Sequence, residues 1–372
     1  MNKYKMAAPC MLGIEGLLAN ELKFMGAENV LAENGRVFFE GTDEILARAN
    51  LRCRLAERIV ITAGIFKADS FNELFEKTKA INWENYISVN DKFPVTGRSL
   101  SSKLSSVPDC QKIIKKAIVD KLSSKYNISY FEETCSMKKI RFLILKDTVT
   151  IMIDTSGEGL HKRGYRAVSN DAPIKETLAA ALAELSRVRD NHIVYDPCCG
   201  SGTILIEAAL KALNIAPGLC RSFVSESWQN ISPQAWKAER ESARKDIKND
   251  CEFIAFGSDI DENALDIARE NAKKAGVADR IKFDIADIKD FSPQTRFGTV
   301  ICNPPYGERL LDFDKADEIY KTMAKVFLPR PGYSYTVITP QDEFERLFGR
   351  KADKRRKLYN GTIPCTAYMY YK

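Results

Sequence analysis

Asn303-Pro304-Pro305-Tyr306-Gly307-Glu308-Arg309-Leu310 directly follows an apolar run at residues 297–302. Such a run is typical of a buried parallel strand, and an open parallel sheet carries its chemistry at the carboxyl ends of its strands. The two prolines remove two backbone donors and restrict the chain direction. The motif therefore favours a pocket in which the Asn303 side chain and the Pro304 carbonyl face a flat amine, with the Tyr306 ring as a stacking surface. For the motif alone, a Pro-Pro turn capped by asparagine is the structural alternative.

An earlier loop gives this motif its context. Asp196-Pro197-Cys198-Cys199-Gly200-Ser201-Gly202-Thr203 lies between a strand-like run at 193–195 and a helix-like run at 204–210. The two glycines can take positive φ and let a ligand approach the backbone, and the threonine is placed to begin the helix. An NAD loop would need a third glycine where Leu205 stands, and the lysine of a phosphate-binding loop is absent. The loop therefore favours a ligand with a charged amino-acid end and no phosphates.

Acidic residues follow the next two strand-like runs. Residues 253–258 end on Asp259, which is placed to accept both hydroxyls of a ribose. Residues 280–283 lead to Asp287, which is placed to receive the amino group of an adenine. Either aspartate alone is more often a helix cap, but four strand ends in register favour one binding edge. Asp259 lies beyond the usual ~20 residues from the glycines, and we attribute the excess to an inserted surface excursion at about 214–250.

This order of motifs resembles the class I S-adenosylmethionine-dependent methyltransferases. The resemblance covers residues 171–372 and rests on the glycine-rich first loop, the two acids and the Asn-Pro-Pro-Tyr motif. In that family the motif marks methylation of exocyclic nitrogens, on adenine N6, guanine N2 or glutamine amides. The resemblance implies an α/β fold, a Rossmann-like class I methyltransferase domain with a mostly parallel seven-stranded sheet, preceded here by α+β domains.

Two further stretches narrow the resemblance. Asp154-Thr155-Ser156-Gly157-Glu158-Gly159-Leu160-His161-Lys162-Arg163-Gly164-Tyr165-Arg166 and Ala172-Pro173-Ile174-Lys175-Glu176-Thr177 look like the junction of THUMP-domain RNA methyltransferases. The nearest likeness is to the guanine-N2 module of the large-subunit ribosomal RNA enzymes. The implied division is a ferredoxin-like domain at 1–62, a THUMP RNA-binding domain at 63–158, a linker at 159–170 and the methyltransferase domain at 171–372. Cys198 departs from the phenylalanine usual in the family and replaces an aromatic wall with a small thiol.

The resemblance, together with the charge pattern, implies roles for individual residues. The catalytic residues would be Asn303, Pro304, Pro305 and Tyr306. S-adenosylmethionine, which leaves as S-adenosylhomocysteine, would be held by Pro173, Asp196, Cys198, Gly200, Gly202, Thr203, Asp259, Ile260, Asp287, Ile288 and Asn303. RNA would be contacted by Lys112, Lys115, Lys116, Lys138, Lys139, Lys162, Arg163 and Arg166. No metal is expected, because the sulfonium already activates the methyl group and catalysis then depends on placement.

Positive charge is concentrated in the first half of the chain. Residues 1–170 hold 26 Lys and Arg against 20 Asp and Glu, whereas residues 171–372 hold 30 of each. Residues 92–146 hold twelve bases against four acids, which makes them a candidate polyanion surface. On charge alone, an ordinary solvated helix face is the alternative. A second basic cluster at 350–357 either flanks a substrate channel or forms a solvated loop.

Composition limits the class of protein. The 372 residues suffice for two or three domains, and 45% hydrophobic with 28% charged residues is typical of a globular protein. No apolar run approaches the ~20 residues of a membrane span, and the first residues lack a secretory apolar region, so we expect a cytoplasmic protein. Ten cysteines without a C-x-x-C pair and only two histidines lack zinc-site spacing. The oligomeric state stays open.

Residue periodicity predicts small α+β units in the N-terminal part. The predicted helices lie at 14–25, 42–55, 71–81 and 109–126, and the predicted strands at 36–40, 59–66, 92–97, 140–145 and 148–153. Near the C-terminus, apolar runs on either side of Asn360-Gly361 predict an antiparallel hairpin.

The sequence therefore predicts an RNA methyltransferase acting on the N2 amine of a guanosine, most simply in 23S ribosomal RNA. A transfer RNA guanosine-N2 enzyme would carry the same motifs. A DNA adenine-N6 methyltransferase shares the catalytic motif without needing an RNA-binding N-terminal part. A protein glutamine methyltransferase would have less need of basic surface, and an RNA-binding protein with a silent methyltransferase fold would not bind the cofactor.

Overall fold

The computed structural model of the chain describes residues 3–166, 174–306 and 313–371. Pro173 and the stretch Gly307 to Leu310 lie outside the described residues. The described chain forms two seven-stranded sheets, one from each half, with helices packed against them. The predicted α/β class is confirmed.

The first sheet is mainly antiparallel and takes the strand order β2-β3-β1-β4-β7-β6-β5. Its strands are β1 Tyr4–Pro9, β2 Glu28–Glu33, β3 Arg36–Gly41, β4 Val60–Lys67, β5 Val95–Leu100, β6 Ile140–Leu145 and β7 Thr148–Asp154. The helices of this half are α1 Glu15–Phe24, α2 Asp43–Arg52, α3 Phe71–Lys79 and α4 Val107–Tyr126.

Strand β4 joins the two N-terminal units into one sheet. It pairs antiparallel with β1 through Val60 and Ile61 and with β7 along its whole length. The boundary expected between residues 62 and 63 therefore falls inside a strand that both units share. Because each unit completes the other's sheet, their backbone hydrogen bonds form one continuous ladder.

Most predicted elements of this half are confirmed to within three residues at either end. Two strands were not predicted. β1 has three consecutive buried residues, Met6, Ala7 and Ala8, and β2 buries none of its side chains, so neither shows the apolar alternation that marks a half-buried strand. Both are positioned by pairing with β3, which is a tertiary contact.

The second sheet has the order β10-β9-β8-β11-β12-β14-β13. Its strands are β8 Ile193–Asp196, β9 Ile254–Asp259, β10 Ile281–Ile285, β11 Gly298–Cys302, β12 Tyr333–Thr339, β13 Lys354–Asn360 and β14 Ile363–Tyr370. Its helices are α5 Glu176–Leu185, α6 Thr203–Ala212, α7 Pro233–Lys245, α8 Glu262–Lys274, α9 Phe313–Phe327 and α10 Phe344–Phe348.

Five of these strands run parallel, and the β13–β14 hairpin adds two antiparallel ones. The predicted parallel sheet with a terminal hairpin is confirmed. The chain moves outward from β8 to β9 and β10, then returns to the other side of β8 as β11. This reversal creates a crevice at the carboxyl ends of β8 and β11, which is where ligands bind in open α/β sheets.

The segment 214–250 is not the surface excursion that its sequence suggested. Trp228 and Trp236 are buried, and the ring of Phe223 stacks on Trp236 with centroids 5.2 Å apart. Helix α7 from this segment packs against α2 of the first half. Two large indole side chains could not remain in solvent without a cost of several kcal/mol in lost apolar burial, so the segment docks between the halves.

Ion pairs fasten this docked segment to the first half. The Arg48 Nε donates to both Glu239 oxygens at 3.1 and 3.0 Å, and Arg52 Nη1 lies 2.7 Å from Asp246 Oδ2. The Asp43 carboxylate accepts the Ser232 backbone N–H at 2.9 Å. The two halves of the described chain are thus held together by directional bonds as well as by apolar packing. Among the described helices, none has both the length and the apolar composition needed to cross a bilayer.

We predict that Glu239→Ala destabilises the whole protein by about 2 to 3 kcal/mol, because it leaves Arg48 partly buried without its carboxylate partner. Urea unfolding followed by circular dichroism and by tryptophan fluorescence would measure the loss. Glu241→Ala, on the exposed face of the same helix, is the matched control, and we expect it to change the free energy of unfolding by less than about 0.5 kcal/mol. Equal effects of the two substitutions would contradict the role given to the Arg48 pair.

Candidate cofactor and catalytic site

Four predicted site segments meet at one edge of the second sheet. Asp196 at the end of β8 is in register with Gly257 of β9, and Asp259 at the end of β9 is in register with Ile285 of β10. On the other side, β11 pairs with β8 and leads directly into Asn303. Because the strands are parallel, the loops that follow them converge on the same crevice.

The glycine loop has the backbone that the sequence predicted. Gly200 and Gly202 take φ values of +49° and +76°, and α6 begins at Thr203 directly after Gly202. A Cβ on Gly200 would meet no atom within 4 Å, so open space lies above this part of the loop. A Cβ on Gly202 would lie 3.0 Å from the Ala268 Cβ and 3.1 Å from the Phe283 ring. One glycine therefore leaves room for a ligand, and the other lets the loop pack onto the sheet.

Asp196 is the most strongly perturbed acid of the edge. Its carboxyl is buried, and it accepts the Cys198 backbone N–H at 3.2 Å. Burial raises the pKa of Asp196 to about 8, and the negative charge of Asp259 adds to the rise. At neutral pH the carboxyl is therefore mostly protonated, and a positive charge placed beside it would favour its ionised form.

Asp259 connects the second strand to the glycine loop. Its Oδ2 accepts the Gly200 backbone N–H at 2.8 Å, and its Oδ1 accepts the Asp261 N–H at 3.1 Å. Each carboxylate oxygen can accept one further hydrogen bond. Asp287 has a 40% exposed side chain, and its pKa is lowered by the backbone N–H of Lys289 and by the ammonium of the same residue, 3.1 Å away.

Apolar side chains flank these acids. Ile260 is 74% exposed and Ile285 is 56% exposed, whereas Ile288 is buried. Two exposed isoleucines beside the ends of β9 and β10 offer an apolar surface to a flat ring, because burying them would be favourable. The residues of this edge thus fit a molecule with an adenine ring, a ribose and a charged amino-acid end.

The Asn-Pro-Pro-Tyr motif lies at the carboxyl end of β11, as predicted. The Tyr306 hydroxyl donates a short hydrogen bond to Asn303 Oδ1, and the amide of Asn360 lies 3.4 Å from the same hydroxyl. Pro304 is buried and Pro305 is exposed. Burial raises the pKa of Tyr306, so the ring stays neutral. The hydroxyl therefore occupies the acceptor oxygen that the motif would offer to an amine.

Asn360 is a site residue that the sequence did not reveal. The Asn360-Gly361 pair was recognised only as a turn signal, and the hairpin that it closes extends past the end of β12 toward Tyr306. Gly13, from the loop after β1, packs against this hairpin: with φ +94°, a Cβ there would lie 2.4 Å from the Lys357 carbonyl oxygen. The hairpin thus links the first half of the chain to the motif.

The second basic cluster belongs partly to this hairpin. Lys354 to Lys357 lie on the edge strand β13 and are exposed, and Arg355 forms an ion pair with Glu345. The cluster therefore lies partly on an edge strand and partly, at Arg350 and Lys351, in the loop before it.

Two predicted RNA contacts are buried. Lys138 is buried under the Trp228 ring, 4.4 Å from its centroid, and donates to Asn230 Oδ1 at 2.7 Å. Arg163 is buried and donates to the Arg54 carbonyl at 2.6 Å. These two cations bond inside the protein, so they are structural and leave the predicted RNA-contact set.

Arg166 also departs from its predicted role. Its side chain is only 16% exposed, and Nη2 donates to Thr203 Oγ1 at 2.7 Å. It therefore contacts the first residue of α6 and not the outer surface.

The remaining predicted RNA contacts lie at or near the surface. Lys112 and Lys116 are exposed on α4, and Lys162 is exposed beside Glu158 at 3.1 Å. Lys115 is tied to Glu133 at 2.5 Å and lies over the Phe93 ring, and Lys139 is half-buried. Of the three α4 lysines in the predicted set, Lys112 and Lys116 are exposed and Lys115 is half-buried.

Within the three described ranges, no group of three or more His, Cys, Asp or Glu side chains is arranged to hold a metal ion. The ten cysteines are free thiols. Burial raises the pKa of the Cys302 thiol, which precedes the motif, well above its usual value.

Three regions of the chain match known families. The RMKL-like methyltransferase domain matches residues 163–369. The ferredoxin-like domain of RlmL matches residues 5–60, and the THUMP domain matches residues 68–154.

Similar proteins extend over the whole chain. The putative RNA methyltransferase YpsC of Bacillus subtilis is 47% identical over 374 residues, covering 100% of this chain and 97% of YpsC. Ribosomal RNA large subunit methyltransferase K/L of Psychromonas ingrahamii is 35% identical, covering 97% of this chain and 49% of that protein. The chain thus spans about half the length of this K/L relative.

A solved structure has the same fold and a bound cofactor product. SMU.472, a putative methyltransferase complexed with S-adenosylhomocysteine, has a TM-score of 0.95 at 40% identity and covers 100% of this chain and 98% of its own. The predicted cofactor, S-adenosylmethionine, and the predicted ferredoxin-like and THUMP folds are confirmed. This chain therefore belongs to the family of RMKL-like, S-adenosylmethionine-dependent RNA methyltransferases.

Proposed function

We propose that this protein transfers a methyl group from S-adenosylmethionine to the exocyclic N2 of a guanosine in 23S ribosomal RNA, in the cytoplasm. One observation carries the proposal. Asn303 and Pro304 lie at the carboxyl end of β11, which is hydrogen-bonded to the strand that leads into the glycine loop. An amine acceptor pocket therefore adjoins the position proposed for the reactive methyl.

The choice of RNA and of large-subunit ribosomal RNA is supported by the comparisons. A THUMP domain precedes the methyltransferase domain, and the K/L relatives are named for large-subunit ribosomal RNA. The exposed lysines of α4 belong to the THUMP region. The guanine-N2 assignment is supported by the likeness of the 154–177 junction to the guanine-N2 module of those enzymes.

For the cofactor, we propose that Asp196, Cys198, Gly200, Gly202 and Thr203 hold the methionine end. Asp259 would accept the ribose hydroxyls, and Asp287 with Ile260 and Ile288 would hold the adenine. The open space above Gly200 and the exposed Ile260 support this assignment.

The mechanism requires this chain to orient an amine. S-adenosylmethionine supplies a methyl group already activated by its sulfonium, and its loss leaves S-adenosylhomocysteine. Asn303 Oδ1 and the Pro304 carbonyl accept the two hydrogens of the N2 amine, which directs the nitrogen lone pair at the methyl carbon. The N2–methyl bond forms as the sulfur–methyl bond breaks, and the proton leaves to water. The rate enhancement comes from placing the amine in line with the methyl group and from polarising its N–H bonds.

Tyr306 must change its partner during this cycle. In the structure its hydroxyl holds Asn303 Oδ1, the oxygen that the amine would need. Binding of a flipped guanine would displace the hydroxyl and leave the ring free to stack on the base. The nearby Asn360 amide would then remain as the partner of the hydroxyl.

Nucleoside mass spectrometry of a deletion strain would test the proposal. We expect loss of N2-methylguanosine from 23S ribosomal RNA, mapped to one site and restored by the wild-type gene. Loss of N2-methylguanosine from transfer RNA instead would identify transfer RNA as the substrate. Loss of N6-methyladenine from DNA, or of a methylated protein glutamine, would replace the proposal with those activities. Unchanged nucleic acids and proteins would point to a non-catalytic RNA-binding role.

We predict that Asn303→Ala lowers the single-turnover rate by about 10²-fold or more, because one preorganised acceptor of the reacting amine is lost. S-adenosylhomocysteine affinity, measured by calorimetry, should change by no more than about threefold. Tyr306→Phe is the matched control, since it removes the hydroxyl but keeps the stacking ring, and we expect its rate to stay near that of the wild type. A normal rate with a large affinity loss in Asn303→Ala would assign that residue to the cofactor.

We predict that S-adenosylhomocysteine binds more tightly as the pH rises from about 6 toward 8, by at most tenfold per pH unit. The sign follows from Asp196, whose pKa of about 8 in the free protein keeps it protonated. A cofactor ammonium beside it would favour the ionised form, so binding must release the proton. The Asp196→Asn variant is the control: its side chain cannot ionise, so any pH dependence that remains comes from other groups, including those of the ligand. Identical pH profiles for the two proteins would place Asp196 outside the cofactor site.

We predict that Lys112→Gln with Lys116→Gln flattens the salt dependence of RNA binding. Each lysine that neutralises a phosphate contributes about 0.7 to the slope of log affinity against log salt on single strands, so the pair should remove about 1.4. Fluorescence anisotropy across a salt series would measure it. Lys273→Gln with Lys274→Gln, exposed at the end of α8, is the matched control. Coincident slopes for both variants and the wild type would move the RNA surface elsewhere, with the β13 cluster as the next candidate.

A further inference from the structure

The linker between the two halves is bonded to the helix that follows the glycine loop. Tyr165 donates its hydroxyl to Glu207 Oε1 at 3.1 Å, and the Arg163 Nε lies 3.4 Å from the same oxygen. One turn earlier on α6, Thr203 Oγ1 accepts from Arg166. Residues four apart lie on one face of a helix, so the linker runs along a single face of α6, from its second turn to its first residue.

The hydrogen-bond partners of Arg166 hold its guanidinium beside the first residue of α6. Its Nη2 donates to Thr203 Oγ1 at 2.7 Å and to the Ile174 carbonyl at 3.0 Å, and its Nη1 lies 3.5 Å from Glu176 Oε1. The Nε atom is buried and has no hydrogen-bond partner among the described residues. A planar guanidinium held by three neighbours cannot rotate freely, so its position relative to Thr203 is well defined.

The electrostatics of this position suit an anion. The first turn of α6 carries backbone N–H groups without intrahelical partners, which attract negative charge. Arg166 adds a full positive charge beside them. Burial raises the pKa of its partner Glu176, which weakens the competition of that carboxylate for the guanidinium. The Ser201 hydroxyl, 3.3 Å from Thr203 Oγ1, completes a polar rim on the loop side.

We propose that Arg166 is a positioning residue for the cofactor: it orients the Thr203 hydroxyl and adds positive charge at the first turn of α6, where both act on the carboxylate of the methionine end. This proposal rests on the cofactor site proposed above. It gives the inter-half linker a part in cofactor binding, although the linker lies outside the glycine loop and the acidic strand ends. The role differs from the RNA contact that the sequence suggested, because the side chain faces the interior.

Two ligands separate this role from a purely structural one. S-adenosylhomocysteine has the amino-acid end, whereas 5′-methylthioadenosine has the same adenosine and thioether without it. We expect Arg166→Gln to weaken S-adenosylhomocysteine binding about tenfold, the loss typical of one charge-assisted hydrogen bond. Binding of 5′-methylthioadenosine should change by less than about twofold. Isothermal calorimetry on the full chain would measure both.

Three further variants sharpen the comparison. Arg166→Lys keeps the charge but not the planar fork, so it should restore part of the lost affinity. Thr203→Val removes the hydroxyl that Arg166 holds. If the two residues act together, the variant that combines Arg166→Gln with Thr203→Val should bind S-adenosylhomocysteine no more weakly than the weaker-binding of the two single variants. Tyr165→Phe is the matched control, since it removes a linker bond to α6 at Glu207, away from the loop, and should leave both affinities unchanged.

The outcomes are distinguishable. An equal loss of both ligands in Arg166→Gln would show that the residue only supports the fold and would overturn the proposal, as would no loss of either. If Arg166→Gln fails to fold, Arg166→Lys and Thr203→Val make the same comparison. If the wild type bound neither ligand, the proposed cofactor site itself would fail, which is a separate result from failure of the Arg166 role.

Discussion

The fold depends on a buried cation at the point where its parts meet. Arg163, in the linker, donates to the Leu160 and Arg54 carbonyls at 2.7 and 2.6 Å and faces the buried carboxylate of Glu207 on α6. Removing a charge from water costs several kcal/mol, so such an arrangement persists only if every part that supplies a partner stays in place. The guanidinium of Arg163 thereby fixes three parts of the chain relative to one another: the segment that contains Arg54, the linker and helix α6. Because α6 begins directly after the glycine loop, fixing this helix also fixes one side of the crevice at the ends of β8 and β11.

The sequence predicted those features that local patterns determine. The strands leading to Asp196, Asp259 and Asn303 are short apolar runs bounded by turn residues, and this pattern alone predicts their positions. Strand β2 and the docking of segment 214–250 were missed, because both are decided by distant partners. Buried Lys138 shows the same limit for charged residues: its surroundings are Trp228 and Asn230, about ninety positions away, and nothing near it in sequence marks the ammonium as interior.

The sequence predicted which residues belong to the candidate site better than it predicted the hydrogen bonds between them. Periodicity and motif order placed the glycine loop and the acids at one edge. They did not show that Asp259 holds the Gly200 N–H, that the Tyr306 hydroxyl covers Asn303, or that Asn360 reaches the motif from the terminal hairpin. These contacts join segments far apart in the chain, so they follow from the relative placement of whole strands. Residue type and spacing alone carry no information about them.

The pairing of α2 with α7 has a consequence for how the chain is made. Arg48 and Glu239 are separated by 191 positions, so the helix that covers α2 emerges from the ribosome long after it. At a synthesis rate of about 5 to 20 residues per second, the interval is about 10 to 40 seconds. Throughout that time the N-terminal sheet can form, while the side of α2 that will receive α7 stays open to solvent and to other nascent chains. Contacts of such large sequence separation also slow folding after release, which lengthens the time for which this side of α2 is exposed.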